Sequence, residues 1–537
     1  MSDRSKCFVI GLVAGSAALI LSFFLRIFTG GLFIPELAAQ TLFSVMPGAV
    51  ESQAVATLGS LAKYSAFAGA TVGNLFLYGA LGVLLHRTYR RLTQKGHFNV
   101  LQLSLLSYSI LFVLAVILLE TTEVITHTLP IHLVSLYLLP PHIAFGFILY
   151  IMFQRQVARP EIINQTSLRR ECSIDLRRRQ FFRIAVAGVV ASAFLFYGVD
   201  LLSPKSSKPS DKRASQPVES SSSFESEFAT PELASFFASE VTRNDRFYQV
   251  DINIVTPVVD ANSWRLTVKG LLNNPLELTY EELKSMPAVE EHATLECVSN
   301  KIGEDLISTA LWKGVPLKSI LGKAQVKPEA TYIVFRCYDG YDVGIPLEGG
   351  LETILAYEMN GVTLPAEHGF PLRAIVPELY GMMNAKWIME IELVNNVHEG
   401  FWQRKGWSNN AEYQIHSTIV LPRGALRSRF GDLGSSRVML GSNVPIVGIA
   451  FAGDKGISKV EISTDGGKSW QIARMKEPLS KNTWVLWAYE WNPPAEGRYN
   501  IIVRATDGMG KVQPAELRKP FPSGSTGYHI VDITAEA

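Results

Sequence analysis

Five apolar runs, at residues 8–28, 64–85, 101–119, 131–153 and 184–202, fill most of the first 202 positions of the chain. Each is about 20 residues long, the length a helix needs to cross the hydrocarbon core of a bilayer. A single run of this kind also suits a buried helix in a soluble core. Five in succession, parted by polar turns, predict an α-helical membrane unit, because helices satisfy their own backbone hydrogen bonds in lipid. The 47% hydrophobic content of the 537 residues is therefore unevenly spread, and the chain after Leu202 reads as a soluble protein of more than one domain.

Loop charges predict the orientation. Residues 86–97 carry Arg87, Arg90, Arg91 and Lys95, and residues 154–183 carry eight arginines, among them Arg155, Arg170, Arg178, Arg179 and Arg183. The intervening loops, 29–62 and 121–130, hold no Lys or Arg. The positive-inside rule places the N-terminus and both basic loops in the cytoplasm, and five spans then put everything after Leu202 on the extracytoplasmic side of the cell membrane. Net charge of +1 hides this asymmetry and offers no footprint for nucleic acid. Of the membrane-region histidines His127, His132 and His142, only His142 falls clearly within a span. A packed or interfacial histidine is the reading favoured over a haem ligand, which would need a partner on a facing helix.

The four cysteines leave two, Cys297 and Cys337, in the external part. In an oxidising compartment that count alone is compatible with a disulfide. No C-x-x-C-H or paired C-x-x-C pattern is present, so any metal must arrive with its own cofactor.

Residues 203–230 are rich in Ser, Lys and Pro and read as a flexible linker. A domain over 231–422 follows, with strand alternation at 264–270 and 293–298. Thr279 with Glu282 three residues on predicts a capping box. The pattern is α+β with strands predominating. Residues 423–537 carry short β-rich runs at 444–450, 460–463, 484–491 and 499–505, and Asp465-Gly466-Gly467 supplies the positive φ of a hairpin turn. They predict a β-sandwich of the immunoglobulin-like kind.

Three motifs carry the chemistry: Thr294-Leu295-Glu296-Cys297-Val298-Ser299-Asn300, His368-Gly369-Phe370-Pro371-Leu372-Arg373, and Tyr380-Gly381-Met382-Met383-Asn384-Ala385-Lys386-Trp387. A thiolate suits a soft, redox-active metal. Arg and Lys suit a phosphate, the one as a planar fork and the other as a point charge. Together they predict a site for a metal carried on a phosphorylated organic cofactor. The order of these motifs resembles the sulfite-oxidase family of molybdopterin-dependent oxidoreductases, in particular its bacterial membrane-anchored branch, over about half of the chain. The resemblance implies molybdenum–molybdopterin as cofactor, Cys297 as its one protein ligand, and Asn253, Asn300, His368, Arg373, Asn384 and Lys386 as cofactor-binding residues. It also implies oxygen-atom transfer at molybdenum, a dimerisation role for residues 423–537 with a homodimer as the product, and a separate electron partner, either a cytochrome or a membrane carrier.

At the substrate end the chain departs from sulfite oxidases. Lys301-Ile302 stand where an Arg is expected after the ligand Cys, and Trp407 stands where the family's active-site Tyr is sought. Lys301 and Arg404 are expected to keep the mouth basic for a small polar or anionic substrate, and the indole of Trp407 favours an S-oxide or N-oxide over sulfite. Arg178-Arg179-Gln180-Phe181-Phe182 before the fifth run resembles a twin-arginine export signal. A reading of another class is a non-enzymatic surface binding protein held by a Cys297–Cys337 bridge.

Overall fold

The computed structural model describes residues 3–29, 32–50, 53–54, 61–93, 100–121, 131–157, 233, 236–237, 240–253, 256–422 and 437–537. The chain divides into two compact units, Met1–Val45 with Ser60–Lys208, and Met46–Gly59 with Pro209–Ala537.

The first unit contains α1 (Asp3–Thr29), α2 (Ile34–Val45), α3 (Leu61–Thr93), α4 (Val100–Thr121) and α5 (Ile131–Val157). Four of them include stretches long and apolar enough to cross a membrane, at Asp3–Arg26, Ser65–Arg90, Val100–Leu119 and Val134–Gln154. These are the first four apolar runs of the sequence. The fifth run, the linker and the twin-arginine segment lie outside the described residues. The segment after α1, expected to be a plain loop, contains the 12-residue helix α2. Arg26 clamps it to α1 by two hydrogen bonds to Glu36, of 2.7 and 3.0 Å. Helices α1 and α3 approach closely because glycines meet there: a Cβ on Gly11 would stand 2.4 Å from the Tyr78 carbonyl oxygen, and one on Gly82 2.6 Å from that of Cys7. His142 is buried, with its ring nitrogens facing the Leu138 carbonyl and the Tyr78 hydroxyl, which fits a packed residue.

The second unit holds two domains. In the central one, β1 (Arg265–Gly270) buries Leu266 and Val268 on alternate positions, as a half-buried strand should. It lies between β2 (Leu276–Thr279) and β10 (Ile388–Val394), and β5 (Tyr332–Cys337) and β6 (Asp342–Pro346) complete a sheet of order β2-β1-β10-β5-β6. The capping box forms as expected: Thr279 Oγ1 accepts from Glu282 N at 3.1 Å, while Thr279 N donates to the Glu282 carboxylate at 2.8 Å. A second sheet joins β3 (Val289–Glu296), β4 (Ile307–Pro316), β7 (Ile354–Met359) and β8 (Val362–Thr363), with β9 (Arg373–Ile375) also on β7. Strand β3 enters exposed and ends buried, so it delivers Cys297 into the interior at its tip.

The C-terminal domain stacks two sheets. One has β11 (His416–Leu421), β13 (Val444–Phe451), β17 (Val485–Trp491) and β16 (Arg474–Met475). The other has β12 (Arg437–Met439), β19 (His529–Glu536), β18 (Gly497–Asp507), β14 (Ile457–Ser463) and β15 (Gln471–Ile472). Between them Ile446, Trp487, Val460, Ile462 and Val503 form one apolar core. Gly466 and Gly467 adopt the positive φ values, 75° and 91°, that the β14–β15 turn demands. Strand β11 precedes the composition break at Pro422, yet it pairs antiparallel with β13, so it belongs to this domain and not to the central one.

Candidate active site

A single pocket of the second unit brings together Cys297, Arg373, Asn384, Lys386 and Trp407 from the sequence reading. Its wall is completed by residues no motif singled out, chiefly Tyr248, Asp251, Asp339, Tyr341 and Trp402.

Cys297 follows β3 directly and is buried. Its amide donates to Leu306 O at 2.9 Å and its carbonyl accepts from Asn300 N at 2.9 Å, which closes a tight turn beneath the thiol. Burial pushes the thiol's pKa up, and the Ser299 hydroxyl, 3.0 Å from Sγ, works against that. A bound cation would reverse the balance outright, since coordination favours the thiolate. Cys297 and Cys337 are both free, which removes the disulfide on which the binding-protein reading depended.

Arg373 opens β9 at 5% exposure. Its Nη1 donates to His368 O at 3.0 Å, while its Nε–H is buried with no hydrogen-bond partner. Burial drags its pKa down to about 10, so it stays charged at neutral pH. A buried guanidinium with an unmet donor is costly unless an anion completes it. Lys386 also reaches the pocket, where its Nζ donates to Asp251 Oδ2 at 3.0 Å and Glu367 O at 3.2 Å. Asn384 uses its amide to shape the loop: Oδ1 accepts from Val376 N at 2.7 Å and Nδ2 donates to the Leu379 and Tyr380 carbonyls.

The other expected residues stand back from the pocket. His368 is buried, with Nε2 2.7 Å from Asn244 O, and burial lowers its pKa to about 3. It is a neutral ring that supports Arg373 through its carbonyl, and it does not add a charge to a phosphate site. Asn253 donates to Asp339 Oδ2 at 2.7 Å, and Asn300 donates to Glu296 Oε1 at 2.9 Å, so both hold wall segments from behind. The basic mouth is not formed as expected. Arg404 is turned onto Asp342, with contacts of 2.9 and 3.0 Å, because that carboxylate is shared with His398 and needs a fixed cation. Burial alone would raise Asp342, but the hydrogen bonds from His398 and Arg404 outweigh it and hold the pKa at about 2. Lys301 points to Glu304 at 3.8 Å in a partly exposed pair. Neither lines the pocket. Trp407 does line it, and pocket hydroxyls come from elsewhere in the chain, with Tyr341 donating to Met382 O at 2.5 Å. Asp339, fully buried beside them, is pushed up to about 6 by desolvation, against the pull of Asn253 and the Tyr341 amide.

Among the described residues no group of three His, Cys, Asp or Glu is placed to hold a metal ion. One thiol therefore needs the rest of a metal's ligands from a non-protein group, and the unmet Nε–H of Arg373 fits an anionic part of that group. Thiol, guanidinium and ammonium in one pocket are donor types that suit a phosphorylated metal cofactor.

Comparison with known proteins agrees. Residues 253–402 match the oxidoreductase molybdopterin binding domain, and residues 409–535 match the Mo-co oxidoreductase dimerisation domain. The uncharacterized oxidoreductase YuiH of Bacillus subtilis is 37% identical over 150 residues, covering 28% of this chain and 74% of that protein. Sulfite oxidase of Arabidopsis thaliana is 28% identical over 342 residues, covering 54% of this chain and 86% of that protein. Mitochondrial sulfite oxidase of Homo sapiens is 28% identical over 313 residues, covering 51% and 57%, so the chain spans little more than half of that relative's length. Among solved structures, the sulfane dehydrogenase SoxCD of Paracoccus pantotrophus aligns with a TM-score of 0.44 at 22% identity, over 53% of this chain and 81% of that one. The chain belongs to the sulfite-oxidase family of molybdopterin-dependent oxidoreductases, and molybdenum–molybdopterin is its cofactor.

Proposed function

We propose that this protein is a membrane-anchored enzyme that transfers an oxygen atom between a small polar substrate and water. The observation that carries the reading is the unpaired, buried Nε–H of Arg373 in the same pocket as the free thiol of Cys297. When bound, the cofactor supplies a metal that cycles between two oxidation levels and exchanges an oxygen atom with substrate. Cys297 would be its protein ligand, and Arg373 and Lys386 would hold its phosphate. Tyr341 is oriented by its bond to Met382 O, and Trp402 and Trp407 add apolar ring surface to the wall.

The wall favours a neutral S-oxide or N-oxide over sulfite. Arg404 and Lys301 are spent on Asp342 and Glu304, and Asp339 adds a carboxyl group that a dianion would have to face. Burying unpaired charge is expensive, so a pocket with few free cations selects against dianions. Oxide reduction consumes two protons and two electrons per oxygen and releases one water; the electrons come singly from a separate cytochrome or membrane carrier. Sulfite oxidation is the second reading, favoured by what the named relatives do. Steady-state assays on molybdenum-loaded protein decide between them. A sulfite kcat/KM above that for every S- or N-oxide tried overturns the first, and a protein that never acquires molybdenum overturns both.

The positive-inside pattern supports an extracytoplasmic catalytic domain. The C-terminal two-layered domain, which we take to be immunoglobulin-like, supports a homodimer. The cofactor is made inside the cell, as the family resemblance implies, so the domain would be exported folded; Arg178→Lys with Arg179→Lys keeps the charge and should stop export. A domain still exported with cofactor in that variant removes the twin-arginine reading.

A further inference from the structure

The C-terminal domain does more than pack beside the central one, because its bonds converge on the strand and turn that carry the thiol. Among the described residues, strand β3 is at the edge of its sheet, with β4 as its one strand neighbour. Its other side is met by residues 480–484 of the C-terminal domain. Thr294 N donates to Asn482 O at 2.9 Å, Trp484 N to Thr294 Oγ1 at 2.8 Å, and Ser480 Oγ to His292 O at 2.6 Å.

At the tip of β3 the same domain reaches the residue next to the ligand. Glu296 is 2% exposed, and its Oε1 is 2.7 Å from His416 Nδ1 and 2.9 Å from Asn300 Nδ2. With a carboxylate on Nδ1, that nitrogen carries the proton and donates, and Nε2 accepts from the Thr418 hydroxyl at 2.6 Å. Asn300 is held at two further atoms. Its Oδ1 accepts from Leu306 N at 3.0 Å, and its carbonyl accepts from Ser525 Oγ of the C-terminal domain at 2.7 Å. The turn from Cys297 to Leu306 is thus fixed from outside by His416 and Ser525, neither of which lines the pocket.

We infer that His416 is a positioning residue for the Cys297 thiolate: it locks the Glu296–Asn300 turn, with Ser525 as a second anchor, so that the C-terminal domain sets where the ligand sulfur stands. This rests on the assignment of Cys297 as the cofactor's protein ligand, though the packing it concerns exists without the cofactor. Losing a fixed hydrogen bond to a buried carboxylate lets the turn open more often.

The test uses the full chain purified without cofactor, and site-resolved alkylation of its thiols by mass spectrometry. Cys337, buried on the other sheet, where it pairs with Ile388, is the internal reference. His416→Leu should raise the alkylation rate of Cys297 about fivefold or more and leave Cys337 unchanged. His416→Gln, whose amide can still donate to Glu296, should stay within about twofold of the parent, and Ser525→Ala should give about a twofold rise. In the loaded protein, His416→Leu should broaden the molybdenum(V) paramagnetic spectrum and lower kcat with KM little changed. A Cys297 rate unchanged in His416→Leu overturns the inference, as does an equal rise at Cys337, which would mean general loosening. Should His416→Leu not fold, Ser525→Ala decides alone, and an unchanged Cys297 rate overturns it. Failure of the parent to bind molybdopterin would instead sink the cofactor assignment and leave the alkylation result standing.

Discussion

The pocket floor around Arg373 and the turn around Arg404 present the same guanidinium in two opposite states. Arg373 is buried, its Nε–H is unmet, and its Nη1 donates to the His368 carbonyl. Arg404 is a third exposed and spends both arms on the Asp342 carboxylate. The carboxylates differ in the same sense, since Asp339 in the pocket is held up at about 6 and Asp342 under Arg404 is held down at about 2. The unmet donor of Arg373 is what a bound anion would complete, whereas the fully engaged Arg404 is architecture.

Breaking the first region at its centre should have the largest effect. Even a partner of a metal ligand is worth about 10–100-fold, so Cys297→Ser should cost more than about 1,000-fold in turnover while the protein stays folded by circular dichroism. The two carboxylates then predict opposite pH behaviour. Asp339 binds its proton more tightly when folded, so its contribution to stability is full below about pH 4 and is lost as pH rises through about 6. The two units or so of shift correspond to about 3 kcal/mol, and Asp339→Asn should flatten that slope in chemical unfolding and stabilise the cofactor-free protein at pH 7. Asp342 works the other way, with stability lost only as pH falls from about 4 towards 2. A parent whose stability rises steadily from pH 4 to pH 7 would break the contrast.

The arginines should separate by state of the protein. If Arg373 holds the cofactor's phosphate as proposed, Arg373→Ala should remove a charge-assisted contact worth about 1.5–3 kcal/mol, and cofactor retention through gel filtration should drop about tenfold or more. The cofactor-free protein should lose less, because the lost bond to His368 O is partly offset by removal of an unmet buried donor. Arg404→Ala should reverse this, lowering the stability of both forms by about 1–2 kcal/mol, discounted for exposure, with retention unchanged. Lys301→Ala is the smallest change: its pair with Glu304 is solvent-exposed, and less than about 0.5 kcal/mol is expected in unfolding.

That Cys297, Arg373 and Lys386 meet in one pocket was legible in the sequence because each lies in a local motif whose residue types suggest a shared chemistry. The strands were legible for a similar reason, since alternation such as that of Leu266 and Val268 is a local signal. What escaped depends on contacts far apart in the chain. Asp339 acquires its meaning from Asn253, 86 residues earlier, and Asp251 from Lys386, 135 residues later. Arg404 looks like a mouth cation between Trp402 and Trp407 until Asp342, 62 residues upstream, comes into reach. His416 and β11 fell on the wrong side of a composition break because membership of a sheet is decided by pairing with β13, not by local character.

The covering of β3 by the C-terminal domain has a consequence in time. Thr294 and the Trp484 amide that bonds it are 190 residues apart, and at ordinary rates of synthesis that separation is about 10–40 s. Throughout that interval the strand that will present Cys297 has one edge of unmet N–H and C=O groups, a template on which another nascent strand can pair. Ending the chain between the two family matches, after Trp402 and before Asn409, would make the interval permanent. A central domain released that way is expected to self-associate through this edge.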